Sequence, residues 1–149
     1  MILENKKIIV TGAAGFIGSG IVRRLLSERV EVLGIDNINN YYNPLLKEKR
    51  IKTIEEIDRD NLWSFCKVNL DDKTKIDKIF REYKPNIVIN LAAQAGVRYS
   101  LEKPHKYIDS NLVGFMNILE GCRHKKIRHL IYASSSSVYG MNLQQPFSV

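Results

Sequence analysis

Apolar residues along the chain fall into two patterns that alternate. Short continuous apolar runs, typical of strands buried on both faces of a parallel sheet, occupy residues 7–10, 30–35, 65–70, 86–91 and 129–133. Between them, apolar residues recur at the spacing of a helix that packs on one face, in residues 16–26, 74–83 and 107–122. A further segment, residues 47–57, is mostly charged and predicts a solvated helix. Strands that alternate with helices predict an α/β fold with a doubly wound parallel sheet.

Length and composition fit one globular domain that spans residues 1–149. A chain of 149 residues can bury a core, and 44% hydrophobic with 26% charged residues excludes a disordered chain. There is no apolar run of about 18 residues, so we expect no membrane span. The first residues lead directly into a strand and leave no room for a signal peptide. We therefore expect a cytoplasmic protein in which Cys66 and Cys122 are reduced thiols.

The charge balance favours an anionic partner. Lys and Arg number 23 against 16 Asp and Glu, a net charge of +7, which suits nucleic acid, anionic lipid or a phosphorylated small molecule. The densest basic cluster, residues 123–129, lies at the end of a predicted helix, where cations interact well with the helix dipole. Because it lacks interleaved aromatic residues, it predicts a solvated face and no nucleic-acid partner. The histidines are too scattered for a metal site.

A glycine-rich turn follows the first predicted strand and opens the first predicted helix. Gly12, Gly15 and Gly18 form the pattern G-x-x-G-x-x-G, a variant of the dinucleotide fingerprint. We expect Gly12 to permit a tight turn, Gly15 to let the backbone approach a pyrophosphate, and Gly18 to let helix and strand pack closely. The first N–H groups of the helix and its dipole would then hold the anion.

An acidic residue ends the second predicted strand, where dinucleotide-binding folds bind the adenosine ribose. We expect Asp36 to accept hydrogen bonds from the ribose hydroxyls and to repel the extra phosphate of NADP. No Lys or Arg lies between Val30 and Leu46 to offset that negative charge. The pattern therefore predicts NAD as the cofactor, in preference to NADP.

Several segments resemble a known superfamily. Three segments resemble the extended short-chain dehydrogenase/reductases, and within them the nucleotide-sugar epimerases: residues 10–19 (VTGAAGFIGS), 90–96 (NLAAQAG) and 134–140 (SSSSVYG). Three stretches closely resemble the bacterial UDP-glucuronate 4-epimerases of capsule and surface-polysaccharide pathways: residues 34–47, 92–100 and 131–140. The resemblance runs from about Lys7 to the last residue.

The resemblance implies an NAD-dependent epimerisation at C4 of a UDP-sugar, in which UDP-glucuronate becomes UDP-galacturonate. In this family a tyrosine, kept acidic by a lysine four residues later, removes the proton of the 4-hydroxyl group while hydride passes from C4 to NAD. Hydride then returns to the other face of the 4-keto sugar. A serine hydrogen-bonds the reacting oxygen; Ser135 matches that position, with Ser136 as the alternative, and both would contact the substrate.

The resemblance also implies cofactor contacts at the ends of the strands. They are Gly12, Ala14, Gly15, Phe16, Ile17, Gly18, Asp36, Asn37, Asn69, Leu70, Leu91, Ala92, Ala93, Gln94, Asn111 and Ser134. Asn111 matches a helix asparagine that braces the site, whereas Asn69 stands where many relatives carry Asp beside the adenine. Arg98 could meet the sugar carboxylate or a phosphate, and a surface arginine fits its position equally well.

The family's Tyr-x-x-x-Lys pair should follow Ser135 at the start of a helix, and no such pair follows it here. Tyr99 and Lys103 have the spacing, but they precede the serine run in a predicted loop before Pro104, so we interpret them as a coincidence. We therefore expect the N-terminal part of a longer enzyme, truncated before the last strands of its sheet and its substrate-binding region. These residues alone should turn over no sugar.

Alternatives remain for both reaction and assembly. A UDP-glucose 4-epimerase and a UDP-glucuronate decarboxylase share the oxidation at C4. A non-catalytic module that only binds NAD would need the cofactor-binding residues alone. A 4,6-dehydratase is disfavoured because Ser136 and Ser137 stand where it needs an acid. Relatives form homodimers through two helices packed as a bundle, and the predicted helix from Tyr107 could supply one of them.

Overall fold

The computed structural model describes residues 3 and 6–148, and in this part of the chain five parallel strands form one sheet. The strands are β1 (Lys7–Thr11), β2 (Glu31–Asp36), β3 (Trp63–Lys67), β4 (Ile87–Asn90) and β5 (His129–Tyr132). Their order, β3-β2-β1-β4-β5, is that of a doubly wound sheet, with the direction of winding reversed between β1 and β4. The predicted fold class is confirmed. Our expectation about a signal peptide concerns residues 1–6, of which 1, 2, 4 and 5 lie outside the described residues, as does residue 149.

Helices connect the strands and cover both faces of the sheet. They are α1 (Phe16–Ser27), α2 (Pro44–Ile57), α3 (Lys73–Tyr83), α4 (Val97–Glu102), α5 (Pro104–Tyr107) and α6 (Phe115–His124). Wider π-helical turns at Ile108–Gly114 join α5 to α6, and a short 3-10 helix, Ser136–Tyr139, follows β5. Among the described residues no helix is long and apolar enough to cross a membrane.

Alternate residues of each central strand belong to two separate cores, as the two-residue period of a strand requires. Ile8 and Val10 of β1 pack with Val22 of α1 and Ile54 of α2 on one face. Ile9 faces the opposite side, in a core that α3 and α6 complete. Because both faces of β1, β2 and β4 are covered, these strands have the continuous apolar sequences from which they were predicted.

The third strand begins and ends earlier than its apolar run predicts. Trp63 pairs with Val32, and the last pair of this ladder is Asp36 with Lys67. Since β2 ends at Asp36, its last hydrogen bond to this segment is the one that the carbonyl of Asp36 accepts from the N–H of Val68 at 3.1 Å, and Val68 and Asn69 form a loop. The indole of Trp63 covers Gly34, whose added Cβ would lie 2.2 Å from the ring. The prediction for residues 65–70 was therefore displaced by two or three residues.

Two other predictions need correction. Residues 99–103, expected to be a loop, lie mostly in α4, and Pro104 begins α5 with the fixed φ that suits the first turn of a helix. The helix expected from Tyr107 therefore starts earlier and includes π-helical turns before α6. The second helix begins at Pro44 rather than Lys47, and it is not fully solvated because Lys47 and Ile54 are buried.

Candidate functional site

A cavity of about 310 Å³ lies at the carboxyl ends of the strands, beside the point where the winding of the sheet reverses. Open α/β sheets bind ligands at this point because the loops after neighbouring strands diverge there and leave a crevice. Ten of the residues predicted from the sequence line it: Gly12, Gly15, Asp36, Asn37, Asn69, Leu70, Leu91, Ala92, Ala93 and Gln94. The strand ends thus bring together residues that are far apart in the sequence.

The glycine turn between β1 and α1 is shaped by close backbone packing. Gly12 has φ +67°, and a Cβ there would lie 2.9 Å from the backbone nitrogen of Ala92. A Cβ on Gly18 would lie 2.1 Å from the carbonyl oxygen of Gly12. Gly18 therefore allows α1 to pack on the turn that precedes it. We had expected this glycine to allow the helix to pack on the strand, whereas the atoms nearest to it belong to the turn.

The N-terminus of α1 is open toward an anion. Gly15 precedes the helix without a side-chain cap, and no acidic residue occupies the first turn. The first helical hydrogen bond runs from the N–H of Ser19 to the carbonyl of Gly15, at 3.0 Å. The N–H groups before it have no partner within the helix, and with the helix dipole they form an anion-binding end.

Thr11 ties the end of β1 to the end of β4. Its hydroxyl donates to the Oδ1 atom of Asn90 at 2.7 Å, and it accepts from the backbone N–H groups of Leu91 and Ala92, both at 3.1 Å. Thr11 and Asn90 are buried. These bonds hold the first residues after β4 against the glycine turn.

Asp36 ends β2 in a buried network of hydrogen bonds. Its Oδ2 atom accepts from the N–H of Ala14 at 3.3 Å, and its Oδ1 atom accepts from the N–H of Ile38 at 2.9 Å. The ammonium group of Lys47, on α2, lies 3.2 Å from Oδ1. Ile38 has φ +51°, an unusual value for a β-branched residue, and the Asp36 carboxylate holds that strained turn.

Gln94 is fixed by Asn111. The side chain of Asn111 accepts from the backbone N–H of Gln94 at 2.8 Å and donates to its carbonyl oxygen at 2.9 Å. The π-helical turns thereby hold the loop after β4 at two points. On the opposite wall, the amide of Asn37 donates to Asn69 at 2.8 Å, so two residues predicted to contact the cofactor contact each other.

Tyrosines form the outer rim of the cavity. The rings of Tyr41 and Tyr99 have centroids 5.0 Å apart, and Tyr99 lies 6.3 Å from Tyr107. The Tyr107 hydroxyl donates to the carbonyl of Ala95 at 2.8 Å and also contacts that of Gly96. Loss of water contact, with Tyr41 nearby, raises the pKa of Tyr107. This hydroxyl is therefore a donor to the backbone and not a base at neutral pH.

The remaining predicted residues lie outside the cavity lining. Ala14 is buried behind Asp36, whereas the side chains of Phe16 and Ile17 are 82% and 64% exposed. Ile17 belongs to the segment predicted to pack along one face, and for this residue the prediction is wrong, since the buried residues of α1 begin at Gly18. Arg98 is exposed on α4.

The serines predicted to act in catalysis are exposed beyond β5. Ser134, Ser135 and Ser136 lie at the same edge of the sheet as the cavity without lining it. The Ser135 hydroxyl accepts from the N–H of Ser137 at 3.2 Å and so begins the short helix that follows.

The Tyr99–Lys103 spacing falls on α4 and the residue after it, not in a loop as expected. Tyr99 packs among the rim tyrosines, and Lys103 is exposed between α4 and α5. The lysine does not pair with the tyrosine hydroxyl, since Lys103 forms no ion pair or side-chain hydrogen bond within the described part of the chain. That the spacing of Tyr99 and Lys103 is a coincidence stays a prediction from the sequence.

Sequence reasoning missed two cations on α2. Lys47 reaches Asp36, and Arg50 donates to the carbonyl of Ala14 at 3.3 Å and to the hydroxyl of Tyr42 at 3.0 Å. The stretch without Lys or Arg that suggested an uncompensated Asp36 ends at Leu46, and Lys47 is the next residue. The three-residue spacing of Lys47 and Arg50, which places both on one face of a helix, was the available signal.

Metal and thiol chemistry find no support in this part of the molecule. Among the described residues no group of three or more His, Cys, Asp or Glu side chains could hold a metal ion. Burial raises the pKa of the Cys122 thiol to about 11 and also raises that of Cys66. At neutral pH both thiols are protonated and weakly nucleophilic.

The sequence and the structure are similar to those of known proteins. The model of the NAD dependent epimerase/dehydratase family matches residues 8–148. Protein CapI of Staphylococcus aureus is 54% identical over 142 residues, which are 95% of this chain and 41% of that protein. A probable UDP-glucuronate 4-epimerase of Rhizobium meliloti is 42% identical over the same length and shares. The chain thus spans about two fifths of the length of these curated relatives.

A solved structure supports the same relationship. It is a mutant of UDP-glucuronic acid 4-epimerase from Bacillus cereus in complex with UDP-4-deoxy-4-fluoro-glucuronic acid and NAD. The two chains superpose with a TM-score of 0.81 at 34% sequence identity, over 93% of this chain and 43% of the other.

Proposed function

The chain belongs to the NAD dependent epimerase/dehydratase family, and on that premise we propose that its cavity binds NAD for epimerisation at C4 of a UDP-sugar. The observation that carries the proposal is the union, in one cavity, of an uncapped glycine turn and an acidic residue at the end of the next strand. The pyrophosphate would lie at the N-terminus of α1, where a side chain on Gly12 could not fit. Asp36 would bind the adenosine ribose.

The residues around the turn fit a dinucleotide. Ala92, Ala93 and Gln94, held by Thr11 and Asn111, would border its phosphates and ribose. Asn37, Asn69 and Leu70 would border the adenine. When bound, NAD supplies a reversible acceptor of hydride. The protein supplies position, burial of the cofactor from water and a site for the sugar.

For the sugar we propose UDP-glucuronate, converted to UDP-galacturonate through a 4-keto sugar for surface or capsular polysaccharide synthesis. The names of the relatives support this substrate. Ser135, or Ser136, would hydrogen-bond the oxygen at C4, and a hydroxyl suits that oxygen because it both donates and accepts. Arg98 would contact the sugar carboxylate or a phosphate. The tyrosine–lysine pair that exchanges the proton would follow Ser135 in the longer protein.

We further propose that the complete protein acts in the cytoplasm as a homodimer, with NAD retained through each catalytic cycle. The two close alternatives are a UDP-glucose 4-epimerase, which leaves an alcohol at the sixth carbon, and a UDP-glucuronate decarboxylase, which removes that carbon. Neither is favoured by a specific contact among the described residues.

The test uses the complete natural protein with UDP-glucuronate and, in parallel, UDP-glucose. We expect proton NMR to report UDP-galacturonate, without release of carbon dioxide and without added NAD. Conversion of UDP-glucose alone, or formation of a UDP-pentose, would select one of the alternatives. Bound NAD with no turnover of either sugar would instead identify a non-catalytic NAD-binding module.

A variant of the serine run separates a catalytic hydroxyl from a structural one. Ser135→Ala should lower kcat by about 100- to 1000-fold, as loss of one hydrogen bond to a reacting oxygen does in other enzymes. Ser64→Ala, at an exposed position of β3, is the matched control, because Ser137 is unsuitable: its hydroxyl accepts from Ser135 at 3.1 Å. If Ser136→Ala has the large effect and Ser135→Ala does not, the neighbouring serine carries the role.

A further inference from the structure

Lys47 is a buried lysine in the wall of the cavity that the predicted cofactor would occupy. Its side chain is 8% exposed, and its ammonium group lies 3.2 Å from Asp36 Oδ1 and 3.0 Å from Asn39 Oδ1. It also lies 5.2 Å from the centre of the Tyr42 ring. Lysines are rarely buried to this extent without a partner for their charge, and the partner here is the carboxylate at the end of β2.

The Asp36 carboxylate has little accepting capacity left. A carboxylate offers about four lone-pair positions. Oδ1 already accepts from Ile38 and Lys47, and Oδ2 accepts from Ala14. About one position on Oδ2 remains for a ligand hydroxyl. The ammonium group of Lys47, by contrast, has three N–H bonds, of which two donate to residues in the described part of the chain.

We propose that Lys47 is a specificity-determining residue that sets how strongly the site prefers NAD over NADP. The inference rests on the proposed function, because it concerns the ribose end of that cofactor. An unpaired carboxylate would repel a 2′-phosphate. Paired with Lys47, Asp36 belongs to a group with no net charge, so the repulsion is reduced and the preference for NAD is moderate.

The surrounding charges point the same way. Arg50 lies one helical turn after Lys47, and its guanidinium group reaches the carbonyl of Ala14, the residue whose N–H binds Asp36. Lys47 therefore pairs with the Asp36 carboxylate directly, and Arg50 adds a second cation at the backbone of Ala14, which binds that carboxylate. This balance differs from the lone acidic residue that the sequence of the second strand predicts.

The test compares the dissociation constants of NAD and NADP for the complete natural protein stripped of cofactor. Lys47→Met keeps the length of the side chain and removes its charge. We expect it to raise the ratio of the NADP constant to the NAD constant by about tenfold, because a phosphate dianion close to an uncompensated carboxylate is strongly repelled. Lys52→Met removes the same charge from an exposed position of the same helix and should leave the ratio unchanged.

A second variant guards against misfolding. Lys47→Gln keeps a hydrogen-bond donor beside Asp36 without the charge, and it should raise the ratio as well. A purely structural role would weaken both cofactors equally and leave the ratio at its natural value, which would overturn the inference. If the natural protein binds neither cofactor, the proposed function itself fails, so the two failures are distinguishable.

Discussion

Two glycines on α1 illustrate how position decides what a side chain does. A Cβ added at Gly18 would lie 2.1 Å from the carbonyl oxygen of Gly12, which is backbone and cannot rotate away. A Cβ added at Gly20, two residues later, would meet nothing within 4 Å. Only Gly18 is required by the packing of the helix on the glycine turn.

Substitution of each glycine by alanine should therefore have opposite effects on stability. We expect Gly18→Ala to lower the free energy of unfolding by about 2–4 kcal/mol, because the backbone must shift. Gly20→Ala should raise it by about 0.5–1 kcal/mol, since alanine loses less entropy in a helix. Urea unfolding of both variants measures this difference, and equal effects would contradict the proposed contact.

At the scale of elements, the site depends on how β1 and β4 are joined. The strands pair in parallel from Ile8 with Ile87 to Thr11 with Asn90. The Thr11 hydroxyl then continues the connection past the end of the ladder, with one donated and two accepted hydrogen bonds. The loop after β4 is thereby fixed beside the glycine turn before any ligand binds.

Thr11→Val should loosen this junction. Valine has the same shape and cannot hydrogen-bond, so the buried amide oxygen of Asn90 and the N–H of Ala92 lose their partner at a cost of about 2–4 kcal/mol. The N–H of Leu91 keeps the backbone carbonyl of Thr11 at 3.3 Å. Thr53→Val, on the exposed face of α2, should change stability by less than about 0.5 kcal/mol. Guanidinium unfolding of the two variants gives the comparison. A Thr11→Val protein as stable as the natural one would show that water replaces the lost bonds.

At the scale of the whole molecule, one apolar face is uncovered. Leu112 and Val113 in the π-helical turns are 65% and 43% exposed, and Met116 and Leu119 in α6 are 53% and 38% exposed. Exposed apolar side chains grouped on one element are typical of an interface. It lies on the element that the resemblance assigned to a homodimer, and the dimer remains a proposal.

Charges placed on this face should separate the proposed dimer. We expect the complete protein with Leu112→Glu and Met116→Glu to sediment as a monomer, because burying two carboxylates in an apolar interface costs more than the contact provides. Leu143→Glu is the control, since Leu143 is 96% exposed and far from this face in sequence. Unchanged sedimentation of the double variant would assign the interface to another surface.

The sequence by itself determined the alternation of strands and helices, the fold class and ten of the 23 residues that line the cavity. The reason is local. A strand buried on both faces must be apolar throughout, and a tight turn against a neighbouring backbone must be glycine. The strand and the turn at Ile8–Thr11 and Gly12–Gly18 could therefore be predicted from the sequence of those segments alone. The residues at which elements begin and end were harder to predict, as β3 shows, because a strand ends where the strand that it pairs with ends.

Only the tertiary structure decided the charge at the end of β2 and the closing of the site. Lys47 reaches Asp36 because α2 packs over the glycine turn, and Asn111 reaches Gln94 because π-helical turns redirect that part of the chain. Such contacts depend on the angle and height at which a helix crosses the sheet, which many distant residues fix together. The pattern of residues within one segment therefore does not predict these contacts.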